Sequence, residues 1–346
     1  MTSQSPVHDI PHLLPPHLQV NARFEDRHEP RVANWLRRWD FSSPLDVGVV
    51  AAGLSQTSIL PTNCFAAPDA FRLSLPGFTT YSPDLDVDIH DLTVRDLGDI
   101  AIPVMEPQTA LGRIEDAMTA LWQRDDLPFI ILVGGDHAVT APSARAYCRA
   151  HPDQRVGLIH FDAHNDVRVL DHGPTNGTPI RQLLQFGNQI SGRNLVQVGI
   201  SGFMNASYYK RWVEGHGGTI FTGRQVRRTG MDRIVEQTRA IAGADVDAIY
   251  VTVDVDVMEA AYTPGTGAAT AEGIHPTDLF DALFALGQDP KVKAIDFVEH
   301  DPFRDVSAIT GRAMTTAMLS FLAGYFLRTK GADGWRGYDP TPITED

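Results

Sequence analysis

The sequence predicts an α/β fold with a mainly parallel central β-sheet. From residue 45 onward, short apolar segments rich in β-branched residues alternate with amphipathic segments of helical period, which is typical of β-α units. Three apolar segments run directly into acidic and histidine residues, as ligand sites do at the carboxyl ends of parallel strands. We expect one domain over residues 41–346, preceded by an N-terminal arm, residues 1–40, that contacts another subunit.

Each predicted element follows from its local pattern. A short apolar run bounded by polar or turn-forming residues predicts a strand, and such runs occur at residues 46–51, 129–133, 156–161, 195–199, 248–253 and 294–298. Apolar residues spaced by three and four predict helices, at residues 109–123, 143–150, 205–214, 231–240, 276–286 and 311–327. Within the arm, only residues 31–39 have a helical pattern. The segments 60–76 and 171–179 contain Gly and Pro, and we interpret them as active-site loops.

Composition and charge exclude several classes of protein. The longest apolar runs are far shorter than the roughly 20 residues of a membrane-spanning helix. The first residues lack a basic segment followed by an apolar one, so we expect a cytoplasmic protein. The net charge of −14 argues against nucleic acid and membrane surfaces as partners and favours a small substrate. Two cysteines, Cys64 and Cys148, cannot supply a disulfide framework or a thiolate metal site.

Three apolar segments end in residues that can bind metal ions. The motifs are GGDH at residues 134–137, HFDAHND at residues 160–166 and TVDVD at residues 252–256. Parallel strands bring their carboxyl ends to one edge of the sheet, and residues two apart in an extended chain point to one side. Several aspartates in one cleft repel each other unless cations lie between them. The sequence therefore predicts a site for two metal ions, with the ligands His137, Asp162, His164, Asp166, Asp254 and Asp256.

Each motif also has a simpler interpretation. GGDH alone is compatible with a strand-to-helix turn or a phosphate-binding loop, although the Lys-Ser/Thr pair of the P-loop is missing. DAHND alone is compatible with an Asx-rich turn, and TVDVD with solvated carboxylates on an edge strand. His160 alone is compatible with a strand-end histidine whose ring nitrogens are hydrogen-bonded. Because all three motifs follow β-type segments, we favour the shared metal site.

The combination of GGDH, DAHND and DVDV with the following PGTG, residues 264–267, resembles the ureohydrolase superfamily of arginase, agmatinase and formiminoglutamase. The resemblance extends over about residues 46–326. It implies that residues 41–346 form a single ureohydrolase catalytic domain with a three-layer α/β/α sandwich on a mainly parallel sheet. It also implies assembly into a homo- or hetero-oligomer, such as a trimer or hexamer.

The resemblance further implies two divalent metal ions per chain. One ion would be bound by His137, Asp162, Asp166 and Asp254, and the second by His164, Asp162, Asp254 and Asp256. Asp162 and Asp254 would bridge the two ions. Histidine and carboxylate ligands suit several divalent metals. The resemblance favours Mn²⁺, with Ni²⁺ as the alternative.

A hydrolytic mechanism follows from this resemblance. The two ions would lower the pKa of a bridging water, which attacks the amidine carbon. Glu299 would lie in the pocket and pair with the N–H edge of a guanidine or formimino group. Asp166 would carry a proton to the leaving amine. His172, in a loop similar to the DHG segment of agmatinases, is either a proton shuttle or an exposed loop histidine.

Substrate choice is the most open point. The segments 173–184, 195–209 and 298–314 are similar to the formiminoglutamase branch, but Leu60 and Pro61 stiffen a loop that is mostly small and polar in the family. These departures favour a guanidine-type substrate, such as guanidine, a dimethylbiguanide or a guanidino-alkyl compound, with release of urea or a related product. Candidate substrate contacts are Asn63, Asn176, Arg181, Glu299 and His300, with Arg168 as a further candidate for a carboxylate.

Besides a deacetylase on the related fold, which would keep one metal ion and a different ligand set, two alternatives to this function remain. The first is a formiminoglutamase, which would release glutamate and formamide. The second is a non-catalytic partner subunit in a hetero-oligomeric ureohydrolase. The presence of all six expected metal ligands argues against the second alternative.

Overall fold

A predominantly parallel β-sheet forms the centre of the molecule, of which the computed structural model describes residues 10–24 and 26–331. The strands of this part of the chain are β1 (Leu13–Leu14), β2 (Arg37–Arg38), β3 (Val47–Ala52), β4 (Tyr81–Ser82), β5 (Val87–Asp88), β6 (Val94–Ile100), β7 (Ile130–Gly134), β8 (Val156–Phe161), β9 (Ile190–Ile200), β10 (Thr219–Thr222), β11 (Ala248–Asp254) and β12 (Val292–Val298). Ten of them form one sheet in the order β1-β6-β3-β7-β12-β11-β8-β9-β10, in which β2 also pairs with β6. Every pairing in this sheet is parallel except that of β1 with β6.

All six predicted strands are present in the sheet, as β3, β7, β8, β9, β11 and β12. The prediction missed β6, which lies between β3 and the edge strands β1 and β2. Its sequence VRDLGDI contains three charged residues, which hide the apolar run. Asp96 of β6 is nevertheless buried, because Arg72 forms an ion pair with it at 2.8 Å. β10 was missed because it is only four residues long.

Helices lie between the strands. They are α1 (Val32–Trp35), α2 (Ala67–Ser74), α3 (Pro107–Trp122), α4 (Thr140–Ala150), α5 (Pro179–Leu184), α6 (Ser207–Gly215), α7 (Gly223–Thr229), α8 (Met231–Ala242), α9 (Pro276–Gly287) and α10 (Ile309–Lys330). The six predicted helices correspond to α3, α4, α6, α8, α9 and α10. The interpretation of residues 60–76 as a loop is wrong for residues 67–74, since Phe71 is buried on α2 and Arg72 binds the sheet.

Both faces of the sheet are covered by helices, as the fold class predicts. One apolar cluster joins strand residues such as Val49 and Phe297 to Phe321 of α10. The other joins strand residues such as Val50 to Met118 of α3. Successive residues of β3 therefore enter opposite layers, which is the alternation of side chains along a strand. The sheet and its two helical layers form the predicted α/β/α sandwich.

Residues 10–40 pack against the edge of the sheet. Both β1 and β2 pair with β6, and Trp39 is buried. The predicted division into an arm, residues 1–40, and a domain, residues 41–346, stays a prediction, as does the contact of the arm with another subunit. Parts of both segments, residues 1–9, 25 and 332–346, lie outside the described residues. Among the described helices, none has the length and apolar character needed to cross a membrane.

Helices α9 and α10 approach each other closely at two glycines. A Cβ atom added at Gly324 would lie 2.0 Å from the carbonyl oxygen of Phe284 on α9. A Cβ atom added at Gly287 would lie 2.2 Å from the carbonyl oxygen of Phe321 on α10. Because backbone atoms occupy the space in both cases, the two glycines set the distance between the helices.

We expect the substitution Gly324→Ala to destabilise the protein by about 1–3 kcal/mol, because the added methyl group forces the two helix backbones apart. The free energy of unfolding in urea measures this effect. The matched control is Gly112→Ala on α3, where an added Cβ meets no atom within 4 Å. That variant should be neutral or more stable by about 0.5–1 kcal/mol. Equal losses of stability in the two variants would contradict the role of the helix contact.

Candidate metal centre and active-site pocket

The three sequence motifs meet at one edge of the sheet. β12 pairs with both β7 and β11, and β11 also pairs with β8, so the carboxyl ends of the four strands lie side by side. His137 follows β7 in a short helical turn, and Asp162 directly follows β8. Asp254 is the last residue of β11. The predicted convergence of these side chains is confirmed.

One group of ligand atoms surrounds the ring of His137. Its Nδ1 atom lies 3.1 Å from Asp162 Oδ2, 3.1 Å from Asp166 Oδ2 and 3.2 Å from Asp254 Oδ2. Neighbouring ligands in an octahedron with bonds of about 2.1 Å are about 3.0 Å apart. The four atoms therefore have the separation expected around a single ion.

A second group surrounds His164. Its Nδ1 atom lies 3.2 Å from Asp162 Oδ1 and 3.1 Å from Asp256 Oδ2. Asp162 thus directs one oxygen to each histidine, which is the geometry of a bridging carboxylate. Asp254 differs, because its Oδ1 atom accepts the backbone N–H of Asp256 at 2.8 Å. A bridging role for Asp254 stays a prediction.

The hydrogen bonds of His137 test whether the site suits a cation. The Nε2 atom lies 2.9 Å from the hydroxyl of Thr252, and that hydroxyl donates its hydrogen to the buried carboxylate of Asp296. Thr252 can therefore only accept from Nε2–H, which leaves a lone pair on Nδ1. Among the described residues, Nδ1 has no hydrogen-bond partner. In the neutral imidazole this lone pair faces three carboxylate oxygens and is repelled by them unless a cation lies between, so these residues fit a divalent metal ion.

The electrostatics of the cluster also favour added positive charge. Burial, together with the nearby Asp256 and Asp162, raises the pKa of Asp254 well above its ordinary value. Burial opposes a positive charge on His137, yet the surrounding carboxylates raise the pKa of that imidazole well above its ordinary value. Both shifts have the same origin, an excess of buried negative charge. A divalent cation would supply the missing charge.

Glu299 lies beside this cluster, directly after β12. Its Oε1 atom accepts the backbone N–H of His137 at 2.8 Å and the side-chain N–H of Asn176 at 3.0 Å. Burial raises the pKa of Glu299 to about 8. Glu299 and Asp166 both have left-handed backbone conformations, with φ of 66° and 51°. Local turns therefore aim both carboxylates into the cleft at a cost in backbone strain.

A pocket of about 220 Å³ opens onto the cluster. Its polar end is formed by His164, Asp166, Asp254, Asp256, Asn176 and Glu299, and its wall by Ile59, Leu60, Thr62, Arg168, Gly177, Met204, Gly267 and Ala268. The predicted loop at residues 60–76 therefore does reach the pocket, through Leu60 and Thr62. Arg168 is exposed, and no carboxylate of the described residues lies within ion-pair distance of it. Its side chain crosses Gly177, where an added Cβ would lie 2.6 Å from Arg168 Cδ.

The structure brings together all the predicted metal ligands, His137, Asp162, His164, Asp166, Asp254 and Asp256, with Glu299 and Asn176 beside them. Their assignment as ligands or as catalytic and substrate-binding groups stays a prediction.

Four other candidate residues lie elsewhere. His172 is exposed in a turn and does not line the pocket. Asn63 is bound through its backbone N–H to Asp301. His300 is buried, its ring is hydrogen-bonded to Asp305, and it does not line the pocket. None of these three residues lines the pocket. The exposed position of His172 agrees with its interpretation as a loop histidine, and the pocket lining does not support the predicted substrate contacts of Asn63 and His300.

Arg181 also points away from the pocket. Its guanidinium lies 4.1 Å from the ring centroid of Trp212, and its Nε–H donates to the carbonyl oxygen of Val167. The side chain is buried on α5, where it ties the helix to the preceding loop. The prediction that Arg181 contacts substrate therefore disagrees with its position. Of the two arginines that we considered, Arg168 is the one that lines the pocket.

Sequence reasoning missed a set of buried polar residues behind the cluster. We call it the polar row, and it consists of Gln197, His160, Thr252 and Asp296. A signal was available, because each is a polar residue between two apolar neighbours in its strand. The interpretation of His160 alone as a hydrogen-bonded strand-end histidine agrees with its contacts, because its two ring nitrogens have the partners Asp162 and Gln197.

Comparisons with known proteins agree with this architecture. The formimidoylglutamase of Halalkalibacterium halodurans is 37% identical over 90% of this chain and 98% of its own length. The agmatinase of Bacillus subtilis is 31% identical over 75% of this chain and 84% of its own length.

Solved structures show the same relationship. The formimidoylglutamase of Bacillus subtilis superposes with a TM-score of 0.83 and 30% identity, covering 90% of this chain and 97% of that chain. The formiminoglutamase of Trypanosoma cruzi, crystallised with two Mn²⁺ ions, gives a TM-score of 0.78 and 26% identity over 87% of this chain and 99% of that chain. The arginase family model matches residues 45–324. The chain therefore belongs to the arginase family and is a metal-dependent hydrolase of amidine C–N bonds.

Proposed function

We propose that this protein hydrolyses N-formimino-L-glutamate to formamide and glutamate. The observation that carries the proposal is the similarity to a formimidoylglutamase over 90% of this chain and 98% of that enzyme. The pocket supports it, because Arg168 presents an exposed guanidinium at the wall without a carboxylate partner among residues 10–24 and 26–331. A guanidinium binds a carboxylate through paired hydrogen bonds, and the substrate carries two carboxylates.

The proposal includes two divalent metal ions. Mn²⁺ is favoured because the Trypanosoma cruzi formiminoglutamase was crystallised with two Mn²⁺ ions, and Ni²⁺ suits the same ligand types. One ion would be held by His137, Asp162, Asp166 and Asp254, and the other by Asp162, His164 and Asp256, with Asp254 as the remaining candidate ligand. When bound, such ions act as Lewis acids and make water a stronger acid near neutral pH.

The protein's own residues would orient and protonate the reactants. Glu299 lines the pocket, and its Oε1 atom is held by Asn176 and the backbone of His137. Its Oε2 atom, which lies 3.7 Å from the Cys64 thiol, can accept an N–H of the formimino group. Asp166 lines the same pocket and can take the proton of the attacking water at its free carboxylate oxygen. The C–N bond to glutamate then breaks, and the proton passes from Asp166 to the leaving amine.

A guanidine-type substrate is the second candidate function. The observation that favours it is the apolar wall of Ile59, Leu60, Met204 and Ala268, which suits an alkyl substituent better than a charged one. The comparisons support the formimino substrate better, because the formimidoylglutamase of Halalkalibacterium halodurans matches 90% of this chain and the agmatinase of Bacillus subtilis matches 75%. Either substrate is a small molecule.

The products decide between these candidates. We expect the Mn²⁺-loaded enzyme to release equal amounts of formamide and glutamate from N-formimino-L-glutamate. The panel should also contain agmatine, 4-guanidinobutyrate, arginine, guanidine and dimethylbiguanide, with urea as the measured product. Release of urea from a guanidine at a higher kcat/KM than release of formamide would overturn the proposed substrate and support the second candidate.

Arg168 provides a test of carboxylate recognition. We expect Arg168→Gln to raise KM for N-formimino-L-glutamate by roughly tenfold or more, because one charge-assisted hydrogen bond contributes about 1.5–3 kcal/mol. The effect should shrink for N-formimino-4-aminobutyrate, which lacks one carboxylate, if Arg168 binds that group. The matched control is Arg233→Gln, an exposed position on α8 outside the pocket lining. Equal KM values for Arg168→Gln and the control would contradict the assignment.

Metal content tests the shared role of Asp162. We expect Asp162→Ala to bind less than one Mn²⁺ per chain, because the substitution removes an oxygen from both ligand groups. Asp256→Ala removes an oxygen from the His164 group alone and should retain about one ion. Elemental analysis after gel filtration measures both. The exposed Asp153→Ala serves as the control, and two ions retained by Asp162→Ala would show that this carboxylate does not bridge.

A further inference from the structure

The polar row crosses the sheet directly below the candidate metal ligands. Gln197 of β9 pairs in register with His160 of β8, and His160 pairs with Thr252 of β11. Thr252 in turn pairs with Asp296 of β12. Adjacent residues in register point to the same face of a sheet, and all four are fully buried. Asp162 lies two residues beyond His160 in the chain, so the polar row lies next to the ligand carboxylates and contacts them through His160.

The donor and acceptor roles in the polar row can be assigned from one group that can only accept a hydrogen bond. The backbone carbonyl oxygen of Asn165 lies 2.7 Å from Gln197 Nε2, which must therefore be the amide nitrogen. The other amide atom, Oε1, accepts from Asn165 Nδ2 at 2.8 Å. Reversal of the Gln197 amide would place two acceptors 2.7 Å apart. Gln197 is thus fixed in one orientation.

This orientation determines the tautomer of His160. Gln197 Nε2 has a second hydrogen, and its next partner is His160 Nδ1 at 2.8 Å. Nδ1 therefore accepts, and the ring hydrogen lies on Nε2. His160 Nε2 is 2.7 Å from Asp162 Oδ2, so His160 donates to that carboxylate.

The same chain of bonds excludes His160 as a metal ligand. The atoms of His160, His137, Asp162 and Asp166 are close enough to hold one ion between them. If Nε2 of His160 bound a metal, its hydrogen would move to Nδ1 and point at the N–H of Gln197. Both the donor to Asp162 and the acceptor for Gln197 would then be lost inside a region with no exposed surface.

We infer that His160 is a positioning residue that holds the shared carboxylate Asp162 through an Nε2–H donor fixed by Gln197 and Asn165. This role rests on the proposed metal centre. It explains how Asp162 Oδ2 is kept 3.1 Å from His137 while Oδ1 faces His164. Carboxylates that bind metals are themselves oriented by such outer hydrogen bonds.

Metal affinity separates this role from a purely structural one. We expect His160→Leu to bind Mn²⁺ about 10–100-fold more weakly in competition with a chelator, while KM for substrate changes little. His160→Gln places an amide nitrogen near the position of Nε2 and should restore affinity to within about threefold of the wild type. Thermal unfolding of both variants shows whether the fold is intact. Wild-type affinity in His160→Leu, or loss of one whole ion in His160→Gln, would overturn the inference.

A second measurement does not depend on the stability of the variants. In the Zn²⁺-loaded wild-type protein with ¹⁵N-labelled histidine, we expect the His160 ring to carry hydrogen on Nε2 and none on Nδ1. Gln197→Met should remove this preference and lower Mn²⁺ affinity. An Nε2 without hydrogen would identify a metal ligand and overturn the role. A wild-type protein that binds neither Mn²⁺ nor Zn²⁺ would overturn the proposed metal centre together with this inference. If the wild-type protein binds metal and His160→Leu binds it with the same affinity, the inference alone is overturned.

Discussion

The concentration of buried negative charge at one edge of the sheet is the constraint on which the rest of the structure depends. Asp162, Asp254 and Asp256 are almost fully buried, and Asp166 and Glu299 open onto the same cleft. Carboxylates at such distances cannot all remain ionised without a compensating cation. The fold assembles this charge from distant parts of the chain, and that arrangement is favourable only in a protein that binds metal ions there.

The register between neighbouring strands determines how accurately the ligand side chains are placed. Four neighbouring strands, β9, β8, β11 and β12, are paired so that one polar residue near the carboxyl end of each contributes to a continuous layer. In that layer, Thr252 fixes the ring of His137 and His160 fixes Asp162. A shift of one strand by a single residue would turn its polar side chain to the other face and separate both supports from their ligands. The apolar packing on the two faces of the sheet therefore protects the geometry of the site as well as the stability of the fold.

The sequence was informative where chemistry and periodicity coincide. Six of the seven strands with five or more residues, and six of the helices, could be predicted, because an apolar run or a helical period marks each one. The ligand cluster could be predicted because its residues follow three such runs. β6 could not be, since Arg95, Asp96 and Asp99 interrupt its pattern and are compensated by contacts, such as that of Arg72, that only the folded chain reveals. Arg181 and Arg168 could not be ranked, because the direction of a side chain next to a loop depends on tertiary packing.

The left-handed backbone at Asp166 and Glu299 limits how this enzyme can change during evolution. Bulky and β-branched residues are strongly disfavoured at such φ angles, so the two positions tolerate few replacements even where the chemistry would allow them. The wall segment that includes Ile59 and Leu60 has no such restriction, and it lines the pocket without belonging to the ligand cluster. A lineage that acquires a new substrate would therefore accumulate its substitutions in this segment and leave the reaction centre unaltered. The backbone conformation at these two positions therefore favours changes of substrate specificity over changes of the reaction.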